Sequence, residues 1–134
     1  MASKESLSVR LPVTYEDALA KAKRALQAEG FGILTEIDVR RTLKEKIGAD
    51  FRHYTILGAC NPSIAYMGLQ AHLELGLLLP CNVIVYEDNG ESVVTIQDPG
   101  EMLEVAKNPD LDEVAKIARS HLERVAEELG AGAG

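Results

Sequence analysis

The sequence lacks tryptophan, has only 4% aromatic residues and contains two cysteines. Its core must therefore be built from aliphatic side chains, and in a cytoplasmic protein the two cysteines are expected to be reduced thiols and not a structural bridge. The apolar segment "LELGLLLP", residues 73–80, is far too short to span a bilayer, and "MASKESLSVR" at the N-terminus has no apolar core of a signal peptide. These features predict a cytoplasmic protein with reduced thiols and no membrane partner.

Basic residues are also scarce, with 14 Lys and Arg against 21 Asp and Glu, which gives a net charge of −7. Nucleic acid is excluded as the expected partner, because phosphate binding needs a concentrated basic surface. The longest basic cluster, residues 40–46, has the pattern of a solvated helix face.

What the chain does have is enough apolar sequence for a core: 46% of its 134 residues. Residues 1–134 are predicted to form a single domain, frayed at 1–4 and 130–134. Alternation at period two and apolar stripes at helical spacing predict the order β-α-β-α-β-α-β-β-α-α. The predicted fold class is α+β, with helices packed on a mostly antiparallel or mixed sheet of about five strands.

Helix and turn signals mark the boundaries of these elements. Helix caps are predicted at Thr14, Asp38, Asn61, Asp98 and Asp110, and proline follows Asn61 and Asp98 directly, as at a first helical position. Gly30 and Gly48 have the positions of left-handed helix ends. The dipeptide Asn89-Gly90 is a strong signal for a tight hairpin between the last two strands.

The two cysteines share one dipeptide, since Cys60-Asn61 ends the third strand and Cys81-Asn82 begins the fourth. A thiol at a helix N-terminus, as predicted for Cys60, suits a nucleophile or a redox sensor. A small buried hydrophobe at a strand end is the structural alternative. The two thiols lie close together if the strands are antiparallel and at opposite edges if they are parallel, so the topology decides whether they share a site.

Three further side chains complete the candidate binding residues. Asn61 and Asn82 have structural roles available, a helix cap and a strand-end hydrogen bond, or they line a polar pocket between the two loops. Glu36 lacks a structural role and is an acid, a ligand for a cation or merely solvated. The cysteines and histidines show none of the close spacings of zinc sites, so no metal and no cofactor is predicted.

Several segments together resemble the domain of unknown function 302 family: "EGFGILTEIDVRRTLKEKIG", "LGACNPSIAYMGLQ", "GLLLPCNVIVYEDNG" and "DPGEML". The resemblance runs from about Thr14 to Leu129, and the spaced pair "GACNP" and "LLLPCNV" is its most specific part. It implies a small cytoplasmic α+β protein of prokaryotes that is dimeric and whose activity is unassigned. No catalytic residue carries over, because the family has none established.

The leading hypothesis is a binding or interaction protein that forms a homodimer, with a small-molecule site at the two Cys-Asn segments: Cys60, Asn61, Cys81 and Asn82, with Glu36 as a further candidate. A thiol-dependent enzyme or redox protein using Cys60 is the second hypothesis, and a purely structural dimer is the third. The homodimer is predicted because "LELGLLLPCNVIV" has more apolar positions than one face of one strand can hide.

Overall fold

The computed structural model describes residues 7–133. Its strands are β1 (Leu7–Leu11), β2 (Gly32–Asp38), β3 (Tyr54–Cys60), β4 (Cys81–Asp88) and β5 (Glu91–Ile96). Its α-helices are α1 (Tyr15–Ala28), α2 (Val39–Ile47), α3 (Pro62–Ala71), α4 (Pro99–Glu104) and α5 (Asp112–Ala133). Two 3₁₀ helices, Leu73–Leu78 and Pro109–Leu111, precede β4 and α5.

The five strands form one sheet in the order β1-β5-β4-β3-β2, and every neighbouring pair is antiparallel. The predicted α+β class and element order are confirmed. Of the two alternatives left open for β3 and β4, the antiparallel one is correct, although a helix and a 3₁₀ helix separate the two strands.

One face of the sheet is buried beneath helices. Leu57 of β3 lies opposite Val83 of β4, which lies opposite Ile96 of β5, and all three are fully buried. They join one core with small residues of α1 and the apolar stripe of α5: Ala18, Ala22, Ala25, Leu26, Leu122, Val125 and Leu129. The aliphatic core predicted from the composition is therefore confirmed, and small alanines let α1 approach the sheet closely.

Side chains cap α1 and α2 where the sequence predicted them. Thr14 Oγ1 accepts a hydrogen bond from the Asp17 amide at 3.2 Å, and Asp38 Oδ1 accepts one from the Arg41 amide at 3.0 Å. Gly48 ends α2 in the left-handed conformation at φ 68°, as predicted. These local signals fix where α1 and α2 begin and where α2 ends.

The predicted cap at Asp110 is wrong. Asn108 is the capping residue, and its side chain accepts a hydrogen bond from the Asp110 amide at 3.0 Å. Asp110 lies inside the 3₁₀ helix Pro109–Leu111, which leads directly into α5. The pair Asn108-Pro109 starts the helical segment two residues before Asp110, the position that the acidic residues Asp110 and Glu113 had indicated.

Two further sequence predictions concern the ends of the chain and the membrane. Residues 1–4, predicted to be frayed, lie outside the described residues, whereas α5 extends to Ala133. No helix within residues 7–133 is long and apolar enough to cross a membrane.

The β4–β5 hairpin turns at Asn89 and Gly90, with φ of 53° and 80°. Positive φ at both central positions is the type I′ geometry that Asn-Gly favours.

We expect Gly90→Ala to lower the free energy of unfolding by about 1 kcal/mol, because a Cβ in this conformation is strained. Chemical denaturation measures the change. The control is Gly76→Ala, where φ is ordinary and a Cβ meets open space; equal stabilities of the two variants would contradict the turn assignment.

Candidate functional site

The antiparallel register brings the two cysteines to the same end of the sheet. Ala59 of β3 lies directly opposite Cys81, the first residue of β4, and Cys60 is the next residue along β3. Sheet geometry then separates the Cα atoms of Cys60 and Cys81 by about 6 Å. The two Cys-Asn segments therefore meet in space, which sequence spacing left undecided.

Cys60 and Cys81 are both lining residues of one small cavity at this end of the sheet. Its volume is about 40 Å³. The walls come from the sheet, α3, the 3₁₀ helix before β4, α4 and α5, and the remaining lining residues are Phe31, Ala59, Asn61, Ile64, Ala65, Leu75, Leu79, Pro99, Met102, Leu103, Val114 and Ala118. The Asn61 amide and the thiols are the only polar side-chain groups among them. Organic ligands occupy sites of roughly 300–1,000 Å³, so this cavity suits an occupant the size of a single ion or a very small molecule.

Asn61 holds the entrance of α3 beside Cys60. Its Oδ1 accepts a hydrogen bond from the Ile64 amide at 3.3 Å, which caps the helix, and Pro62 is the first helical residue. Its Nδ2 donates to the Glu29 carbonyl oxygen at 3.3 Å, so the same side chain ties α3 to the end of α1. The predicted cap at Asn61 is confirmed, and both polar ends of its amide are used.

Glu29 itself belongs to a polar cluster at the surface. Its Oε1 lies 2.8 Å from His121 Nδ1 and accepts a hydrogen bond from Arg124 Nε at 3.0 Å. These two partners lower the pKa of Glu29, the His121 hydrogen bond being the larger cause. The cluster anchors α5 to the end of α1, and the ring of Phe31 packs edge-on against His121 while also lining the cavity.

Burial keeps the two thiols neutral. Desolvation raises the pKa of Cys60, which is half-buried. It raises the pKa of the buried Cys81 to about 11, with smaller contributions from Cys60 and Asp98. A nucleophilic thiol needs a lowered pKa, and no lining residue is a histidine or carboxylate that could accept its proton.

Two of the five predicted binding residues lie away from the cavity. Asn82 is exposed because it follows Cys81, and alternate residues of a strand point to opposite faces. Its backbone exchanges hydrogen bonds with Gln97: the Asn82 amide donates to Gln97 Oε1 at 3.1 Å and the Asn82 carbonyl accepts from the Gln97 amide at 3.1 Å. Glu36 lies on the edge strand β2 and forms an ion pair with Lys23 of α1 at 2.7 Å.

Sequence reasoning missed the lining residues that come from distant elements, above all Phe31, Met102 and Ala118. Met102 and Ala118 lie on α4 and α5, which no local signal connects to the Cys-Asn dipeptides. The cap at Asp98 was the one available clue, because it starts α4 where β5 ends beside Asn82. Among residues 7–133, no group of three or more His, Cys, Asp or Glu side chains is arranged to hold a metal ion.

The chain belongs to the DUF302 family, since the family model "Domain of unknown function DUF302" matches residues 7–129. It is similar to the crystal structure of the uncharacterized conserved protein DUF302 from Bacillus stearothermophilus, at 28% sequence identity and a TM-score of 0.86. That similarity covers 95% of this chain and 99% of the other. Among curated proteins, none is detectably similar. The comparisons thus confirm the family and the fold.

The raised thiol pKa values predict slow alkylation at neutral pH. We expect the iodoacetamide rate of each cysteine to rise with pH along a curve displaced to higher pH than in the urea-unfolded chain, because only the thiolate reacts. The displacement is larger for Cys81, whose half-maximal rate lies at about pH 11. Mass spectrometry of the two cysteine peptides measures both rates in one sample. A folded-state curve for Cys60 below its unfolded curve would instead show an activated nucleophile.

Proposed function

We propose that this DUF302 protein is a homodimeric binding protein whose small site is the cavity between the two Cys-Asn segments. The observation that carries the proposal is that both cysteines, 21 residues apart in sequence, line a single small cavity. The binding residues are Cys60, Cys81 and Asn61, with Asn61 positioning the entrance of α3.

Binding fits this site better than thiol catalysis or redox chemistry. Cys60 precedes a helix N-terminus, which would favour a thiolate, but desolvation by burial raises its pKa. A catalytic thiol also needs a base within hydrogen-bond reach, and the lining residues supply none. An apolar cavity lined by two cysteines whose thiol pKa values are raised is better suited to holding a small ligand than to thiol chemistry.

The binding proposal is tested by protection of the thiols. We expect at least one member of a probe panel, consisting of single metal ions and xenon, to slow alkylation of both cysteines and to raise the melting temperature of the wild type by linkage. Xenon is included because apolar cavities of suitable size bind it. Mass spectrometry and thermal denaturation give the two readouts.

Ala65→Leu fills the cavity from α3 without removing a sulfur and should abolish the protection. Ala115→Leu is the matched control, because Ala115 is also a half-buried helical alanine but does not line this cavity. The binding proposal fails if no probe protects the cysteines, or if Ala65→Leu keeps the full effect.

The homodimer proposal is supported by the sheet face opposite the core. Ile37, Ile56 and Ile84 lie side by side across β2, β3 and β4, and Tyr54 and Tyr86 stack beside them with ring centroids 5.4 Å apart. We call these five residues the open face. Ile37 is 47% exposed and the other four are half-buried. Solvated faces of antiparallel sheets normally carry polar residues, so a continuous apolar patch favours an interaction surface.

A second copy of this chain is the occupant that the surface chemistry favours. A two-fold interface must be complementary to itself. The centre of the open face is apolar, and beside it Arg10 and Arg52 pair with Asp88, so charges of both signs border the patch. The sequence segment that suggested a dimer contributes Ile84 to this face, while its leucines Leu73 and Leu77 are 86% and 82% exposed elsewhere.

The interface prediction is tested by sedimentation at tens of micromolar. We expect the wild type to be a dimer and the double variant Ile37→Glu, Ile84→Thr to be a monomer, because a charge and a hydroxyl replace two apolar contacts. Threonine keeps the β-branched shape, and circular dichroism checks the fold. Ile47→Glu on α2, at an isoleucine that is 73% exposed, is the control. A monomeric wild type contradicts the dimer, and dissociation by Leu77→Glu alone places the interface on the 3₁₀ helix.

A further inference from the structure

We infer that the cavity at the two Cys-Asn segments binds a small, uncharged, apolar molecule of the size of a diatomic gas such as dioxygen. The inference rests on the proposed binding function and names the class of ligand for that site. Its starting observation is the chemistry of the walls. Among the described residues that line the cavity, none is charged, and only Asn61 has an oxygen or nitrogen atom in its side chain.

The polar side chain of Asn61 is already engaged. Its Oδ1 accepts a hydrogen bond from the Ile64 amide, and its Nδ2 donates to the Glu29 carbonyl oxygen. Within residues 7–133, every buried side-chain oxygen or nitrogen atom has a hydrogen-bond partner. A bound water molecule needs about two to four polar partners, and a buried ion must be paired. The walls therefore favour an apolar guest, which loses no hydrogen bond on entering.

The volume of the cavity limits the size of that guest. An apolar cavity of about 150 Å³ stays free of water and holds benzene. The volume of about 40 Å³ found here is roughly a quarter of that. It admits a diatomic molecule or a single xenon atom, and it excludes metabolites of ordinary size.

Small side chains leave this space open, and close packing around it keeps the walls apart. Ala59 of β3, Ala65 of α3 and Ala118 of α5 all line the cavity, and none of them has a side chain beyond Cβ to fill it. Gly68 of α3 has no room for a Cβ, because Leu75, another lining residue, packs directly against it. A space of this kind persists only where its surroundings cannot collapse into it. The site is therefore formed before the guest arrives.

One side of the cavity gives access from solvent. Most of the lining residues are buried, but four are half-buried: Cys60, Asn61, Ala65 and Leu79. The first three lie where β3 leads into α3, and Leu79 lies just before β4. A small molecule can enter between these two segments, whereas a void sealed inside a core has no such edge.

The buried cysteine in the wall does not make the site reactive. Cys81 lies opposite Ala59 in the β3–β4 register and is buried on the helix-covered face of the sheet. Its raised pKa of about 11 keeps the thiol protonated at neutral pH. A protonated, buried cysteine behaves as a small hydrophobic side chain, and only the thiolate is nucleophilic. Binding therefore forms and breaks no covalent bond.

The experiment follows the methyl groups of the protein by NMR under pressure of xenon and, separately, of dioxygen. We expect the shift changes caused by xenon to concentrate on Ala59, Leu75 and Leu103 and to saturate at one atom per chain. Dioxygen is paramagnetic and speeds the relaxation of nearby protons. The same methyl groups should therefore relax several-fold faster under dioxygen than those of Leu122 and Val125, which are as deeply buried but do not line the cavity.

Ala65→Leu supplies the variant, because it fills the cavity from α3. We expect it to weaken xenon binding about fivefold or more, since the free energy associated with a cavity scales with its volume, here about 40 Å³. Ala115→Leu is the matched control at a half-buried helical alanine outside the cavity, and it should leave the xenon affinity unchanged. The comparison of methyl groups within the wild type tests the inference even if Ala65→Leu does not fold.

Two results would overturn the inference: dioxygen effects no larger at the lining methyl groups than at Leu122 and Val125, or a xenon affinity unchanged by a folded Ala65→Leu variant. These are distinguishable from failure of the binding function itself. If a metal ion of the probe panel protects the cysteines and neither gas reaches the cavity, the binding function stands and the apolar ligand class is wrong. If neither a metal ion nor a gas acts at the cavity, both proposals fall together.

Discussion

The antiparallel pairing of β3 with β4 is the constraint on which the rest of the site depends. Its register sets Ala59 opposite Cys81 and thereby carries both thiols to one end of the sheet. The intervening α3 and 3₁₀ helix then have to fold over that end, and they supply Ile64, Leu75 and Leu79 to the cavity wall. A parallel crossover of the same length would have left the cysteines at opposite ends.

Close packing around β3 holds that register in place. Gly58 has no room for a side chain, because a Cβ there would meet Thr35 Oγ1 and Pro80 Cγ. Gly68 of α3 is similarly close to Leu75, so helix and 3₁₀ helix interlock where the chain returns to the sheet. Both glycines serve close approach with no need of an unusual φ. They explain how a short connection folds tightly enough to leave a cavity of only about 40 Å³.

Much of the fold could be predicted because its signals are local. Three residue pairs each specify a cap or a turn within four residues or within one helix, and the structure confirms them: Asn61 with Pro62, Asp38 with Gly48, and Asn89 with Gly90. Asp110 was misassigned for the same kind of reason, since Asn108 is an equally good cap, lies two residues earlier and is followed directly by Pro109. Residues close to a helix end decide where the helix starts. The prediction from these residues failed at Asp110 because two capping residues compete there.

The cavity could be predicted only in part, because it depends on contacts distant in sequence. The proximity of Cys60 and Cys81 depended on strand direction, and Met102 and Ala118 arrive from helices later in the chain. The position of Asn82 was, however, accessible in advance. If Cys81 is buried, strict alternation sends the next side chain to the opposite face, so the two halves of the second dipeptide could not line one pocket.

Alternation along β4 also explains how one strand contributes to two different surfaces. Cys81, Val83 and Val85 are buried against the helices, whereas Ile84 and Tyr86 belong to the open face. A shift of one residue in the pairing of β4 would exchange these two sets and remove a thiol from the cavity while burying polar groups. The cavity and the open face therefore depend on the same register. Under the proposed function, a partner bound to the open face would stabilise the same strand that holds Cys81, so assembly and ligand binding would be connected through β4.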